Sequence, residues 1–212
     1  SDAQADLATI SLLNNGGSNY SYTVVSSDLT WTGNTSTDWN TASNWSSNSV
    51  PTSSDDVIIP NVSNDPVLGS ASDVCQNLEI RSGAVVTCDG SNSGTNKLTA
   101  ATIDLQNGGK ITITGGEIEC TGKMDADGTI TMSGGTLDVN GEFELSASSA
   151  ENISGGTIYC AGDWDGQLAS NYTITGGTVV LDGGSSGAGK LLQMDNKEDV
   201  APFTGDSYFH NL

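Results

Sequence analysis

Gly-Gly recurs at Gly115-Gly116, Gly134-Gly135, Gly155-Gly156 and Gly176-Gly177, with spacings of 19, 21 and 21 residues. Self-similarity at a fixed period of this size marks a repeat architecture, in which each unit buries its apolar side against its neighbours. Short alternating segments precede each pair: Lys110 to Thr114, Thr129 to Ser133, Glu151 to Ser154 and Tyr172 to Thr175. Others follow it: Glu117 to Cys120, Thr136 to Val139, Thr157 to Cys160 and Thr178 to Leu181. A third segment comes next, as Lys123-Met-Asp125, Glu142-Phe-Glu144 and Asp163-Trp-Asp165. Aligned on the glycines, the apolar residues form columns. These are Ile113, Met132, Ile153 and Ile174; Ile118, Leu137, Ile158 and Val179; Cys120, Val139, Cys160 and Leu181; and Met124, Phe143 and Trp164. Alternation of period two fits a strand with one buried face and does not fit a helix. Three short strands per coil, with glycine at a corner where the chain turns sharply, predict an all-β fold. The expected architecture is a right-handed parallel β-helix with coils of about 20 residues, stacked at a rise of roughly 4.8 Å.

An earlier coil is expected from Leu78 to Ser82, Gly83 to Cys88 and Asn96 to Gln106, with Asp89 to Thr95 as a polar loop. Setting Gly83-Ala84 on the glycine pair puts Val86 and Cys88 in the columns of Ile118 and Cys120. Cys88, Cys120 and Cys160 then fill the core as small hydrophobes. Cys120 and Cys160 fall two coils apart, beyond the reach of a disulfide. The pairs Cys88 with Cys120 and Cys75 with Cys88 stay open. No CxxC pair occurs and His210 is the one histidine, so a zinc site is not expected.

Charge narrows the partners. The chain carries 26 acidic and 6 basic residues, a formal net charge of −20, which repels nucleic acid and anionic lipid. No apolar run approaches the roughly 18 residues that cross a bilayer, so no membrane insertion is expected. Trp31, Trp39 and Trp45 are three of four tryptophans and fall within fifteen residues ahead of the first coil. A solenoid must cover its open end, and large aromatics do this well; the alternative use of such a cluster is a sugar-stacking platform.

The segment from Trp31 to Ala84 carries a pattern. It reads Trp31-Thr-Gly33, Trp39, Asn44-Trp45, Val50-Pro51, Asp55-Asp56-Val-Ile-Ile-Pro60, Cys75-Gln-Asn77-Leu78-Glu-Ile80 and Gly83-Ala84. It resembles a module of large, secreted, multidomain surface proteins of Bacteroidetes-type bacteria, many exported by the type IX route. The resemblance is close over residues 29–90 and looser over 29–212. It implies that the segment leads into a β-helix, that the chain is extracellular or at the cell surface, and that its partners are other domains of one long chain. Residues 1–28 are read as a linker or preceding β element, with a strand at Tyr20 to Val25; 29–77 as the cap region; and 78–212 as the parallel β-helix, truncated at its C-terminus. Tyr208 to Leu212 resembles the start of a further coil.

Outward positions suggest surfaces. Thr112 and Thr114, Thr131 and Ser133, Asn152 and Ser154, and Thr173 and Thr175 form a ladder of small polar residues, similar to ladders on ice-binding solenoids, although Thr is also a favourable exposed strand residue. Asp125, Glu144 and Asp165 align on the third strand, with Asp127 and Asp163 beside them. Like charges on adjacent strands repel, and Ca²⁺ held by several oxygens would relieve that. Catalysis is not expected. Arg81 is the one arginine, the lysines are scattered, and no Ser-His-Asp set can form around His210. The expected function is a non-catalytic extracellular structural or adhesion module that displays or spaces other domains, touching glycans or cell surfaces. A carbohydrate-binding or polysaccharide-degrading β-helix and an ice-binding surface are the alternatives.

Overall fold

The computed structural model describes residues 7–13, 19–25, 28–70, 72–91, 95–166, 172–183 and 192–193. Leu7–Leu13 and Asn19–Val25 form an antiparallel two-stranded sheet of their own, with Leu7 opposite Val25 and Leu13 opposite Asn19. The strand expected at Tyr20 is therefore half of a hairpin.

The rest is a parallel β-helix. Its strands stack on three faces, and each face is a ladder of parallel pairs. The first face runs through Val85–Asp89, Lys110–Gly115, the first halves of Thr129–Val139 and Ala150–Cys160, and Tyr172–Ile174. The second runs through the first halves of Asp73–Ile80 and Lys97–Leu105, then Glu117–Cys120, the second halves of the two long strands, and Thr178–Leu181. The third begins at Leu29–Thr30. It continues through Val57–Ile59, the second halves of Asp73–Ile80 and Lys97–Leu105, Met124–Ala126, Phe143–Leu145 and Trp164–Asp165 to Leu192–Gln193.

Alternation decides which side chains go inside. On the third face Leu29, Val57, Leu78, Ile103, Met124, Phe143 and Trp164 share one inward column and are all buried. Phe143 and Trp164, in adjacent coils, meet edge to face at 4.8 Å. Steps along this column are 28, 21, 25, 21, 19 and 21 residues, yet the strands stay in register. Surplus residues leave at the corners. The longest step carries the tryptophan segment, and the 25-residue step carries the polar loop after Asp89.

Two glycine demands meet at one corner. Gly116, Gly135, Gly156 and Gly177 have φ of +70°, +71°, +90° and +93°, a region that side chains avoid. Gly134, Gly155 and Gly176 are held instead by contact: a Cβ on them would stand 2.5–2.6 Å from a carbonyl of the coil below. The Gly-Gly pair thus joins a left-handed residue to one with no room for a side chain.

The coil between Leu78 and Leu105 differs from the expected alignment. Val86 and Cys88 pair with Ile111 and Ile113 on the first face, while Leu98 and Ala100 take the columns of Ile118 and Cys120. The corner at Gly83 precedes the first face, where Gly83 N–H donates to Gly108 O. The residue that matches the Gly-Gly corner is Gly90, packed on Gly115 with φ of +67°. Cys88 and Cys120 therefore lie on different faces. All four cysteines are free and buried, and burial pushes the Cys75 thiol up to about 12 and those of Cys88 and Cys120 to about 11. The coil start expected at Tyr208 to Leu212, with His210, lies outside the described residues.

The tryptophans close the N-terminal end. Trp31 and Trp39 are 0% exposed and Trp45 2%. Trp45 meets Trp31 at 5.0 Å and Trp39 at 4.7 Å, both edge to face. Trp31 Nε1 donates to Asn64 O (2.7 Å) and Trp45 Nε1 to Trp39 O (2.8 Å). No ring face is free to stack on a sugar, so the cluster is a cap. Asn44 fastens it. Its Oδ1 accepts from Thr35 N and Ser36 N (2.8 and 2.9 Å), and its Nδ2 donates to Ser36 Oγ and Asp38 O (3.0 and 2.9 Å).

Candidate functional site

The third face carries the densest chemistry. Glu79, Asp104, Asp125, Glu144 and Asp165 occupy one outward column on five successive coils. In-register parallel strands put such side chains roughly 4.8 Å apart, where like charges repel. The effect is visible in the carboxyls: burial, then Glu79 and Asp125, push Asp104 above the usual carboxylate range. Burial and Glu144 do the same to Asp125, against the pull of Lys123. Sequence alignment finds Asp125, Glu144 and Asp165. It misses Glu79 and Asp104 because the coil carrying them was set on the wrong corner. The cue was the shared pattern of Leu78-Glu79-Ile80, Ile103-Asp104-Leu105 and Phe143-Glu144-Leu145.

Arg81 and Lys123 sit where they offset this charge, and Lys97 does the same on the second face. Arg81 Nε donates to Glu79 Oε1 (2.7 Å), which also accepts from Gln106 Nε2 (2.8 Å). Lys123 pairs with Glu144 and, at 3.8 Å, with Glu142. On the second face Lys97 bridges Glu117 (2.7 Å) and Glu119 (2.9 Å), which holds Glu119 below its ordinary range. Each lysine joins its own coil to the next.

The calcium expectation does not match this geometry. Among the described residues no three Asp, Glu, Cys or His side chains are placed to hold a metal ion. Asp125, Glu144 and Asp165 stand side by side along the stack, one per coil, while Ca²⁺ takes six to eight oxygens that converge on one point. Asp127 and Asp163 flank the column at opposite strand ends, after Ala126 and before Trp164. The Lys123 ammonium already stands against Glu144 and Glu142.

Toward the N-terminal end the same face opens into a cleft of about 270 Å³, lined by Asp28, Asp56, Asn77, Glu79, Thr102 and Asp104 together with Val57, Ile58 and Leu78. Asn77 Nδ2 donates to Asp56 Oδ1 (2.6 Å), and Thr102 Oγ1 donates to Asn77 Oδ1 (2.6 Å). This polar row ties three coils together.

The hydroxyl ladder on the first face is regular in one column only. Thr87, Thr112, Thr131, Asn152 and Thr173 are register partners in turn. The second column is broken. Ser133 lies opposite Gly155, not Ser154, because the register shifts at the glycine corner, and Ser154 Oγ turns to donate to Met132 O (3.3 Å). Thr114 and Thr175 are exposed beyond the ends of that break. The bulge removes the flat two-column lattice that the spacing alone implied.

The fold and these surfaces define a β-solenoid: a capped stack of coils whose outward positions carry ordered rows of carboxylates and hydroxyls. A family profile described as a domain of unknown function (DUF8693) matches residues 30–142, more than half of the chain, and the chain belongs to that family. The matched segment holds the tryptophan cap, the cleft apart from Asp28, and the acidic column as far as Asp125. No curated protein and no solved structure matches the chain.

Proposed function

We propose that the chain is a non-catalytic, extracellular structural and adhesion module, a stiff stack that displays or spaces other domains of a large surface protein. The observation that carries this reading is the unbroken register of the third face from Leu29 to Gln193. Seven steps of strand spacing span roughly 34 Å, and backbone hydrogen bonds run along the whole length. Such a ladder resists stretching and bending, because the middle coils are held by strands on all three faces at once. The likeness of residues 29–90 to modules of secreted surface proteins supports the location, and the acidic surface suits a solvated stalk.

One observation favours a second reading, carbohydrate binding. The Asp56, Asn77 and Thr102 row offers donors and acceptors of the kind that hold sugar hydroxyls, although no aromatic ring lines the cleft. A glycan array and a polysaccharide pull-down with the whole chain, with Ca²⁺ and with EDTA, separate the two. Specific binding lost in Asn77→Ala would replace the spacer reading with a lectin-like one. Absence of binding in both buffers is the outcome the spacer reading expects.

A further inference from the structure

Glu151 is the one carboxylate in a column otherwise made for hydrocarbon. On the first face its register partners below are Val86, Ile111 and Ile130, all fully buried, and Tyr172 holds the position above. Glu151 is 1% exposed, and neither carboxyl oxygen completes a hydrogen bond of good geometry, the Ser149 hydroxyl and the residue's own N–H standing nearby as weak contacts that favour the ionised form. Its neighbour Ser149, itself buried, spends its hydroxyl proton on Ser146 O (2.9 Å). A carboxylate with only weak contacts in such surroundings is costly, and the group holds its proton instead.

We propose that Glu151 is a pH latch: protonated, it lets the coil beginning at Ala150 stack on the one below, and ionised, it loosens residues 150–166 and 172–183 while the capped coils stay closed. The charged groups around it do not supply another cause. From the strand below, Asp138 points outward on the second face; from the third face, Glu142, Glu144, Asp163 and Asp165 occupy outward or corner positions. The inward residues of these coils, Ile130, Met132, Phe143, Leu145 and Trp164, carry no charge. Tyr172 is the titratable residue at the adjoining register position. Burial pushes the Glu151 carboxyl up to about 7, outweighing the Ser149 hydroxyl and the residue's own N–H, which favour ionisation. Opening returns the group to water and to its ordinary value of 4.5.

The sign follows from linkage. The closed coil binds the proton more tightly than the open one, so opening becomes easier as pH rises between these two values. From pH 5 to pH 8 the opening equilibrium of this coil is expected to rise about 70-fold. Hydrogen exchange read by mass spectrometry on the whole chain measures this, with Lys110–Gly115 and Met124–Ala126 as references that cancel the intrinsic pH effect. The expected result is excess exchange at pH 8 confined to 150–166 and 172–183 and abolished in Glu151→Gln, which cannot ionise. Glu151→Leu, which restores the apolar column, serves if the amide packs poorly. The same pH response in both variants as in the native chain overturns the latch, as does excess exchange shared equally by the reference strands. This proposal stands on the fold alone and survives or fails independently of any glycan result.

Discussion

At the N-terminal end of the stack, the buried Asn44 and Asp73 side chains are met by partners; in the coil that starts at Ala150 the buried Glu151 carboxyl is not. Asn44 is 0% exposed and uses both lone pairs and both amide protons. Asp73, at an inward position of the second face, accepts from Asn40 Nδ2 (2.9 Å) and Ser70 N (3.2 Å). Glu151 has the same burial and neither oxygen satisfied. Trp39 Nε1 is the exception within the cap, buried with no acceptor. A polar group inside a solenoid can therefore serve as a fastener or as a weak point. The difference lies in whether a loop is available to turn its own backbone donors inward. The cap has such a loop, whereas the short turn before Glu151 spends the Ser149 N–H and hydroxyl on Ser146 O.

The most severe way to break this contrast is at the cap. Trp45→Ala removes the ring that touches both other tryptophans and is expected to cost about 3–5 kcal/mol, seen as a fall in the urea midpoint. Next comes the opposite end of the comparison, with the opposite sign. Glu151 folded holds its proton more tightly than unfolded, so its contribution favours the stack fully below about pH 4.5 and is gone above about pH 7. Glu151→Leu should therefore stabilise the chain by about 3 kcal/mol at pH 8 and far less at pH 4, read as a pH-dependent gain in melting temperature. Asn44→Ala strands the Thr35 and Ser36 amides and should cost about 2 kcal/mol with no comparable pH trend. Smallest is Lys97→Ala. Its two ion pairs are partly exposed, so the loss should stay below about 1 kcal/mol and shrink further in high salt.

Much of the architecture was legible because two cues coincide in the later coils. Ile118, Leu137 and Ile158 alternate with polar residues, and the glycine pair resets the phase at the same place in each coil. Where glycine also turns other corners, the cue is degenerate. Gly83 has φ of +83° and Gly108 of +84° at the corner ahead of the first face, and nothing in a lone Gly-Ala tells one corner from another. The misplacement moved Cys88 off its true column and hid Glu79 and Asp104 from the acidic row. The rows on the outside were harder still. Period two places Thr, Ser and Asp outward, but whether neighbouring rows stay aligned depends on bulges such as that at Ser133, which leave no mark in composition. Glu151 could have been found, since it stands two residues before the inward Ile153 and so shares its face.

The coil lengths carry a consequence for how such a chain changes over time. Thr87 and Thr112 stay paired although seven residues stand between the strand end at Asp89 and Lys97. Leu29 and Val57 stay paired around the whole tryptophan segment. Height and ornament are thus inherited separately. A corner can acquire, lose or exchange a loop without altering the distance between the two ends, and a coil can be duplicated to lengthen the rod without disturbing what hangs from the others.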